Sequence, residues 1–98
     1  MTIHSSSIID PDSELAKNVT VGPFSIIGPN AKIGKGTVIG SHVLIEANTV
    51  IGKNCKIFNG ASIGGEPQIM NFKDVFSSVE IGDGTVVREY ATIHRFRI

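Results

Sequence analysis

The sequence contains no tryptophan, one tyrosine and one cysteine in 98 residues. A lone thiol, Cys55, cannot close an internal disulfide, which excludes a small disulfide-stapled scaffold. Leucine, a mainstay of long helices, is scarce, with only Leu15 and Leu44 present. Neither charge sign forms a run, and nine basic residues cancel nine acidic ones. That balance leaves no electrostatic footprint for nucleic acid or an anionic membrane surface. The apolar stretches are far too short to cross a bilayer, so no integral membrane segment is expected. Met1-Thr2-Ile3-His4 shows no basic segment leading into an apolar core, so no secretory signal is expected and a cytoplasmic location follows by default. The length suits a single domain, residues 1–98, small enough that oligomerisation would help it bury surface.

What the chain does have is glycine, isoleucine and valine, a composition that favours strands. It also has an internal period. Stepping by six from Ile3 gives Ile9, Leu15, Val21, Ile27, Ile33, Ile39, Ile45, Ile51, Ile57 and Ile63, every one aliphatic. The step continues through Ile69, Val75, Ile81, Val87 and Ile93. Glycine often follows the aliphatic residue, as at Gly22, Gly28, Gly34, Gly40 and Gly52. Proline takes the next place at Pro11, Pro23 and Pro29, then Asn or Gly at Asn18, Asn30, Gly36, Asn48, Asn54, Gly60 and Gly84. A short residue comes after that, for example Ser25, Ala31, Thr37 or Cys55.

A period of six is neither a helix nor one long strand. It describes a short strand plus a bend, repeated. Asn and Gly tolerate the left-handed backbone that a sharp bend requires, and Pro presets φ for a turn. Three bends close a triangle, so three hexads form an 18-residue coil and residues 18 apart stack. Ile3, Val21, Ile39 and Ile57 form one expected column. Ile9, Ile27, Ile45 and Ile63 form a second, and Leu15, Ile33 and Ile51 a third. The fold class is therefore all-β, a parallel β-helix of about five coils. Its hand does not follow from the period. The fine pattern lapses near residues 65–80, where Met70, Phe72 and Phe76 stand where corners need small residues. An external loop is expected there. An extra coil would also keep register, since Ile63 and Ile81 are 18 apart.

The stretch from Ile63 onward carries a sharper pattern: Ile-Gly-Gly-Glu-Pro-Gln, then Phe72-Lys73, Val79-Glu80-Ile81-Gly82-Asp83-Gly84, and Arg88-Glu89-Tyr90-Ala91-Thr92-Ile93-His94-Arg95. In order and spacing this resembles the N-terminal part of the UDP-N-acetylglucosamine O-acyltransferases of lipid A synthesis, within the hexapeptide-repeat superfamily. The resemblance implies a left-handed coil and a homotrimer with active sites between neighbouring subunits. It also implies transfer of a 3-hydroxyacyl chain from acyl carrier protein to the 3-hydroxyl of the UDP-sugar, with no metal or other cofactor. A histidine would serve as general base. In the family that histidine lies beyond Thr-Ile-His-Arg, so no catalytic residue is assigned here, the chain is expected to be truncated at its C-terminal end, and the 98 residues alone are expected to be inactive. Gln68 and His94 are the substrate contacts the resemblance carries over. Gln68 is followed by Ile69, Met70 and Asn71, where the family has an acidic residue and, two positions further on, a lysine.

The remaining candidates read as structure. His42 occupies a bend position, His4 lies in the first coil, and the three histidines lack metal-ligand spacing. Cys55 fits a buried packing thiol, and Gly34-Lys35-Gly36-Thr37 lacks the upstream spacing of a phosphate loop. Two other functional readings fit the repeat: a non-catalytic trimerisation or binding module, and another hexapeptide sugar acetyltransferase.

Overall fold

A computed structural model describes residues 1–65 and 78–94. These residues form strands of two to four residues joined by bends, with no helix among them. The first coil holds β1 (Thr2–Ile3), β2 (Ile8–Ile9) and β3 (Glu14–Leu15), and the second β4 (Thr20–Val21), β5 (Ile26–Ile27) and β6 (Lys32–Ile33). The third holds β7 (Val38–Ile39), β8 (Leu44–Ile45) and β9 (Thr49–Ile51). Beyond them come β10 (Lys56–Ile57) and β11 (Ser62–Gly65), then β12 (Val79–Ile81), β13 (Val86–Val87) and β14 (Thr92–His94).

Every third strand stacks on its predecessor, giving three parallel sheets that wall a triangular prism. Sheet A runs β1-β4-β7-β10-β13, sheet B β2-β5-β8-β11-β14 and sheet C β3-β6-β9-β12. This is the left-handed parallel β-helix of the hexapeptide-repeat proteins, 39 Å long and about 25 Å across.

The register confirms the three aliphatic columns and extends them. Val87 tops Ile57, Ile93 tops Ile63, and Ile81 tops Ile51. Ile27, Ile39, Ile45, Ile51, Ile57 and Ile63 are all buried, and Val19, Ala31, Val43, Cys55 and Ala61 join them from the short-residue positions. Each fully buried isoleucine contributes about 1.5–3 kcal/mol of transfer free energy.

Stacked residues are 18 apart in the early coils, as with Ile27 and Ile45. At the last junction the offset grows to 30, as with Ile57 and Val87. The chain spends twelve extra residues, two hexads, before rejoining the stack between Gly65 and Val79. Ile63 therefore pairs with Ile93 and not with Ile81, which excludes the extra-coil alternative. The loop expected at 65–80 falls mainly on residues 66–77, outside the described residues.

From Asn18 onward every described bend turns through a residue of positive φ: Asn18, Phe24, Asn30, Gly36, His42, Asn48, Asn54, Gly60, Gly84 and Tyr90. His42 is thus a bend residue. Phe24 and Tyr90 adopt this backbone without the help of an Asn or Gly side chain. All three belong to the corner between sheets A and B. There the Phe24 and His42 rings lie 5.2 Å apart, and Tyr90 lies so close over Gly60 that a Cβ on that glycine would overlap its ring. The glycines after the aliphatic residues serve a different need. At Gly34 the backbone of Gly52 lies 2.5 Å from where a Cβ would stand, so close coil stacking excludes a side chain.

Buried hydroxyls tie the coils together. Ser25 Oγ donates to the Gly40 carbonyl at 2.7 Å and accepts from Val43 N–H at 3.0 Å. Thr37 Oγ1 donates to the Gly52 carbonyl at 2.7 Å and accepts from Cys55 N–H at 3.1 Å. Cys55 is buried, and its Sγ caps the Gly82 carbonyl at 3.2 Å.

Candidate functional site

The regular ladder is interrupted at one place on sheet B. The β11–β14 pairing runs Ser62↔Thr92 and Ile63↔Ile93, then slips by one residue so that Gly65, not Gly64, pairs with His94. The cause is local. Gly64 has φ +87, a left-handed residue where the other coils place ordinary backbone. Its reversed backbone lifts Gly65 outward, and the chain enters residues 66–77 directly from this bulge.

The bulge has a measurable consequence beneath it. Along the stack, the hydroxyl of a corner residue donates to the carbonyl 15 residues ahead, as Ser25 and Thr37 do. For Thr49 that acceptor would be Gly64. Thr49 is fully buried, and its Oγ1 has no hydrogen-bond partner among the described residues. The space above it is tight, because a Cβ on Gly64 would overlap the Thr49 hydroxyl. An unpaired buried hydroxyl costs about 1–3 kcal/mol, so the geometry at the loop root is held at the expense of local stability.

His94 closes this site from the next coil. It ends β14, its side chain is solvent-exposed, and its Nδ1 lies 3.5 Å from the Cβ position of Gly65. Glu46, in the coil below, approaches to 3.3 Å of the corresponding position of Gly64. Glu46, Gly64, Gly65 and His94 therefore line the rim of sheet B where the chain leaves the coil. Gly64 is buried, and Gly65, half-buried and without a side chain, is the glycine that faces His94 at this rim. His94 was expected from sequence and stands at the rim. Gln68 lies outside the described residues. Gly64, Glu46 and Thr49 were not anticipated. The only sequence signal was the adjacent pair Gly64-Gly65 after Ile63, the one Gly-Gly in the chain.

The other histidines stand elsewhere. His42 is at the opposite corner of sheet B, and His4 Nδ1 shares a hydrogen bond of 2.8 Å with Ser6 Oγ in the first coil. Arg88 and Glu89 pair with each other at 3.2 Å on the surface, and Arg88 also covers the Phe58 ring at 4.5 Å.

Known proteins share the repeat and the coiled fold. The family of bacterial transferase hexapeptide repeats (six repeats) matches residues 1–35. An acyl-(acyl-carrier-protein)–UDP-N-acetylglucosamine O-acyltransferase of Sulfurihydrogenibium sp. is 61% identical over 93 residues, which is 95% of this chain and 34% of that protein. The crystal structure of the UDP-N-acetylglucosamine O-acyltransferase of Moraxella catarrhalis superposes with a TM-score of 0.96 at 43% identity, over 100% of this chain and 38% of that one. The corresponding enzyme structure from Acinetobacter baumannii gives 0.94 at 42% identity, over 97% and 37% of the two chains. The chain shares the hexapeptide-repeat fold of these enzymes. It matches the N-terminal third of the UDP-N-acetylglucosamine O-acyltransferases and spans about a third of their length. The hexapeptide-repeat acyltransferase fold thus supplies three flat walls and one bulged rim, and the rim is where His94 stands.

Proposed function

We propose that this chain is the N-terminal part of an acyltransferase that moves a 3-hydroxyacyl group from acyl carrier protein to the 3-hydroxyl of UDP-N-acetylglucosamine. The observation that carries the reading is the 61% identity, over 95% of the chain, to a relative named for that transfer. In the reaction, a histidine takes the proton of the sugar hydroxyl as the oxygen attacks the acyl thioester. A C–O bond forms, the C–S bond breaks, and the proton goes to the departing thiol. The general base falls beyond Arg95 in the family pattern, so the 98 residues contribute binding and not proton transfer. The purified chain is expected to give no acyl transfer above a no-enzyme control, and measurable turnover by it would overturn this assignment. Gln68 and His94 are assigned to the UDP-sugar. The exposed imidazole beside the half-buried, side-chain-free Gly65 supports the His94 role.

Homotrimer formation belongs to the same reading, and the distribution of outward side chains supports it. Sheet B shows Ile8, Ile26 and Leu44 in a vertical row, with Ile8 64% and Ile26 42% exposed. The adjoining corner adds Phe24 and Tyr90, and sheet A adds Val38 and Val86, all exposed. Sheet C instead displays Glu14, Lys32 and Glu80. A contiguous apolar side of this extent marks an association surface. An acyl carrier protein donor places the reaction in the cytoplasm, and no helix among the described residues is long and apolar enough to cross a membrane.

A further inference from the structure

Charges that are scattered in the sequence are not scattered in the fold. Lys17, Lys35 and Lys53 lie one coil apart, each just before the bend that joins sheets C and A. Their stacking is fixed by the backbone. The carbonyl of Lys17 accepts the Gly36 N–H at 3.1 Å, that of Lys35 the Asn54 N–H at 2.9 Å, and that of Lys53 the Gly84 N–H at 2.8 Å. The three lysines therefore rise along one edge at the strand spacing of about 4.8 Å. All three are exposed, and none forms an ion pair among the described residues. Lys32 and Lys56 flank them on the two adjoining walls. Like charges stacked at this spacing repel one another, so the ladder is held against its own electrostatics.

Beside it, sheet C carries a shallow trough of about 490 Å³. Gly34, Gly52, Lys32 and Lys53 line it, together with the acidic Glu14 and Asp83. The two glycines lack side chains for a reason already given: the coils approach too closely to admit them. At the C-terminal end Asp83 uses its carboxylate on the Lys53 backbone N–H at 2.7 Å, which ends the positive stripe without neutralising a lysine.

We propose that Lys17, Lys35 and Lys53 form an electrostatic ladder that docks an acidic α-helical face of a partner protein. The match is one of pitch. Carboxylates at i, i+4 and i+7 on a helix repeat about every 5.4 Å along its axis, close to the spacing of the lysines, so one helix turn addresses one coil. A flat anionic membrane fits this edge less well, because it would also face Glu14 and Glu80 on the wall of sheet C. Duplex nucleic acid fits less well again, since its charges come every 3.4 Å per strand and extend over the same acidic wall. The inference concerns an edge away from the His94 rim and stands whether or not the chain serves the transfer reaction.

The test is fluorescence anisotropy on the full 98-residue chain with two labelled, hydrocarbon-stapled helical peptides of identical composition. One carries glutamates at i, i+4 and i+7 along a single face, and the other has them spread around the helix. The in-register peptide is expected to bind more tightly at low salt and to lose affinity as salt rises. The K17Q/K35Q/K53Q variant is expected to bind it about tenfold more weakly, the combined effect of three exposed ion pairs. Equal binding of the two peptides would overturn the proposal, as would an unchanged affinity of a variant with an unchanged circular dichroism spectrum. Tighter binding to phosphatidylglycerol vesicles or to a DNA duplex than to the in-register peptide would also overturn it. The two-peptide comparison on the unsubstituted chain decides the matter independently of how the variant folds.

Discussion

At the scale of the residue, the hexad assigns four jobs, and each can be broken separately. The bend residue must accept positive φ. Asn48, at φ 62, illustrates it. Asn48→Ala is expected to lower stability by about 1 kcal/mol, whereas Asn48→Gly should stay within a few tenths, as read from urea midpoints. The glycine of the next job is needed for space. Gly34→Ala is expected to cost about 1–3 kcal/mol or more, because the new methyl meets the Gly52 backbone. Two buried threonines predict opposite signs for one substitution. Thr37→Val leaves the Gly52 carbonyl and the Cys55 N–H unpaired and should destabilise by about 1–3 kcal/mol. Thr49→Val removes a hydroxyl that has no partner among the described residues and should stabilise by about 1 kcal/mol, measured by the same denaturation. Loss of stability in Thr49→Val would show that the hydroxyl is satisfied and that the loop root is not strained.

These residue-level roles were legible to different degrees. The aliphatic columns could be read directly, because apolar identity and period six coincide at every step. Asn and Gly announced most bends. Phe24 and Tyr90 did not, since no intrinsic preference of an aromatic ring marks positive φ. Their placement comes from the coil as a whole, which closes its corner at that point whatever the side chain. Thr49 was hidden for another reason. Whether a hydroxyl finds an acceptor depends on the Gly64 backbone one coil above, and nothing in the hexad pattern encodes that.

At the scale of the element, stability comes from stacking, since strands of two or three residues have little of their own. A central rung such as Ile45 is covered from above by Ile63 and from below by Ile27. Ile45→Ala is expected to cost about 3–4 kcal/mol. Ile9, half-buried in the first coil, should cost clearly less when truncated in the same way, because one of its faces has no rung beneath it. Equal losses at the two positions, read from thermal or chemical unfolding, would contradict a nearest-neighbour account of the stack. The element scale also explains why the loop was ambiguous from sequence. The extra stretch amounts to two whole hexads, so the phase of Ile81, Val87 and Ile93 survives it. A period alone cannot tell twelve residues outside the coil from twelve within it. The observed pairing of Ile57 with Val87 settles the matter.

At the scale of the whole molecule, the triangular prism sorts side chains by wall. Sheet B and its corner with sheet A expose Ile8, Ile26, Phe24 and Tyr90, while sheet C and its corner with sheet A expose mainly charged side chains. The sequence shows neither property as a run, because neighbours in the prism are one coil apart in the chain. The lysine ladder arises in the same way from residues that look dispersed. For the apolar side, the unsubstituted chain is expected to sediment at about three times 10.4 kDa. Ile26→Asp should release monomer, as light scattering after size exclusion would show. A monomeric unsubstituted chain would contradict the trimer.

The reading of this chain as the N-terminal part of a UDP-N-acetylglucosamine acyltransferase is tested most directly by exchange. The 98 residues would replace the matching segment of the Sulfurihydrogenibium enzyme, 61% identical to them, and the chimaera would be assayed for transfer from acyl carrier protein to UDP-N-acetylglucosamine. The account predicts that the chimaera is active and that His94→Ala in it weakens use of the UDP-sugar, with KM rising more than kcat falls. A chimaera that folds and assembles like the parent enzyme but transfers no acyl group would contradict it.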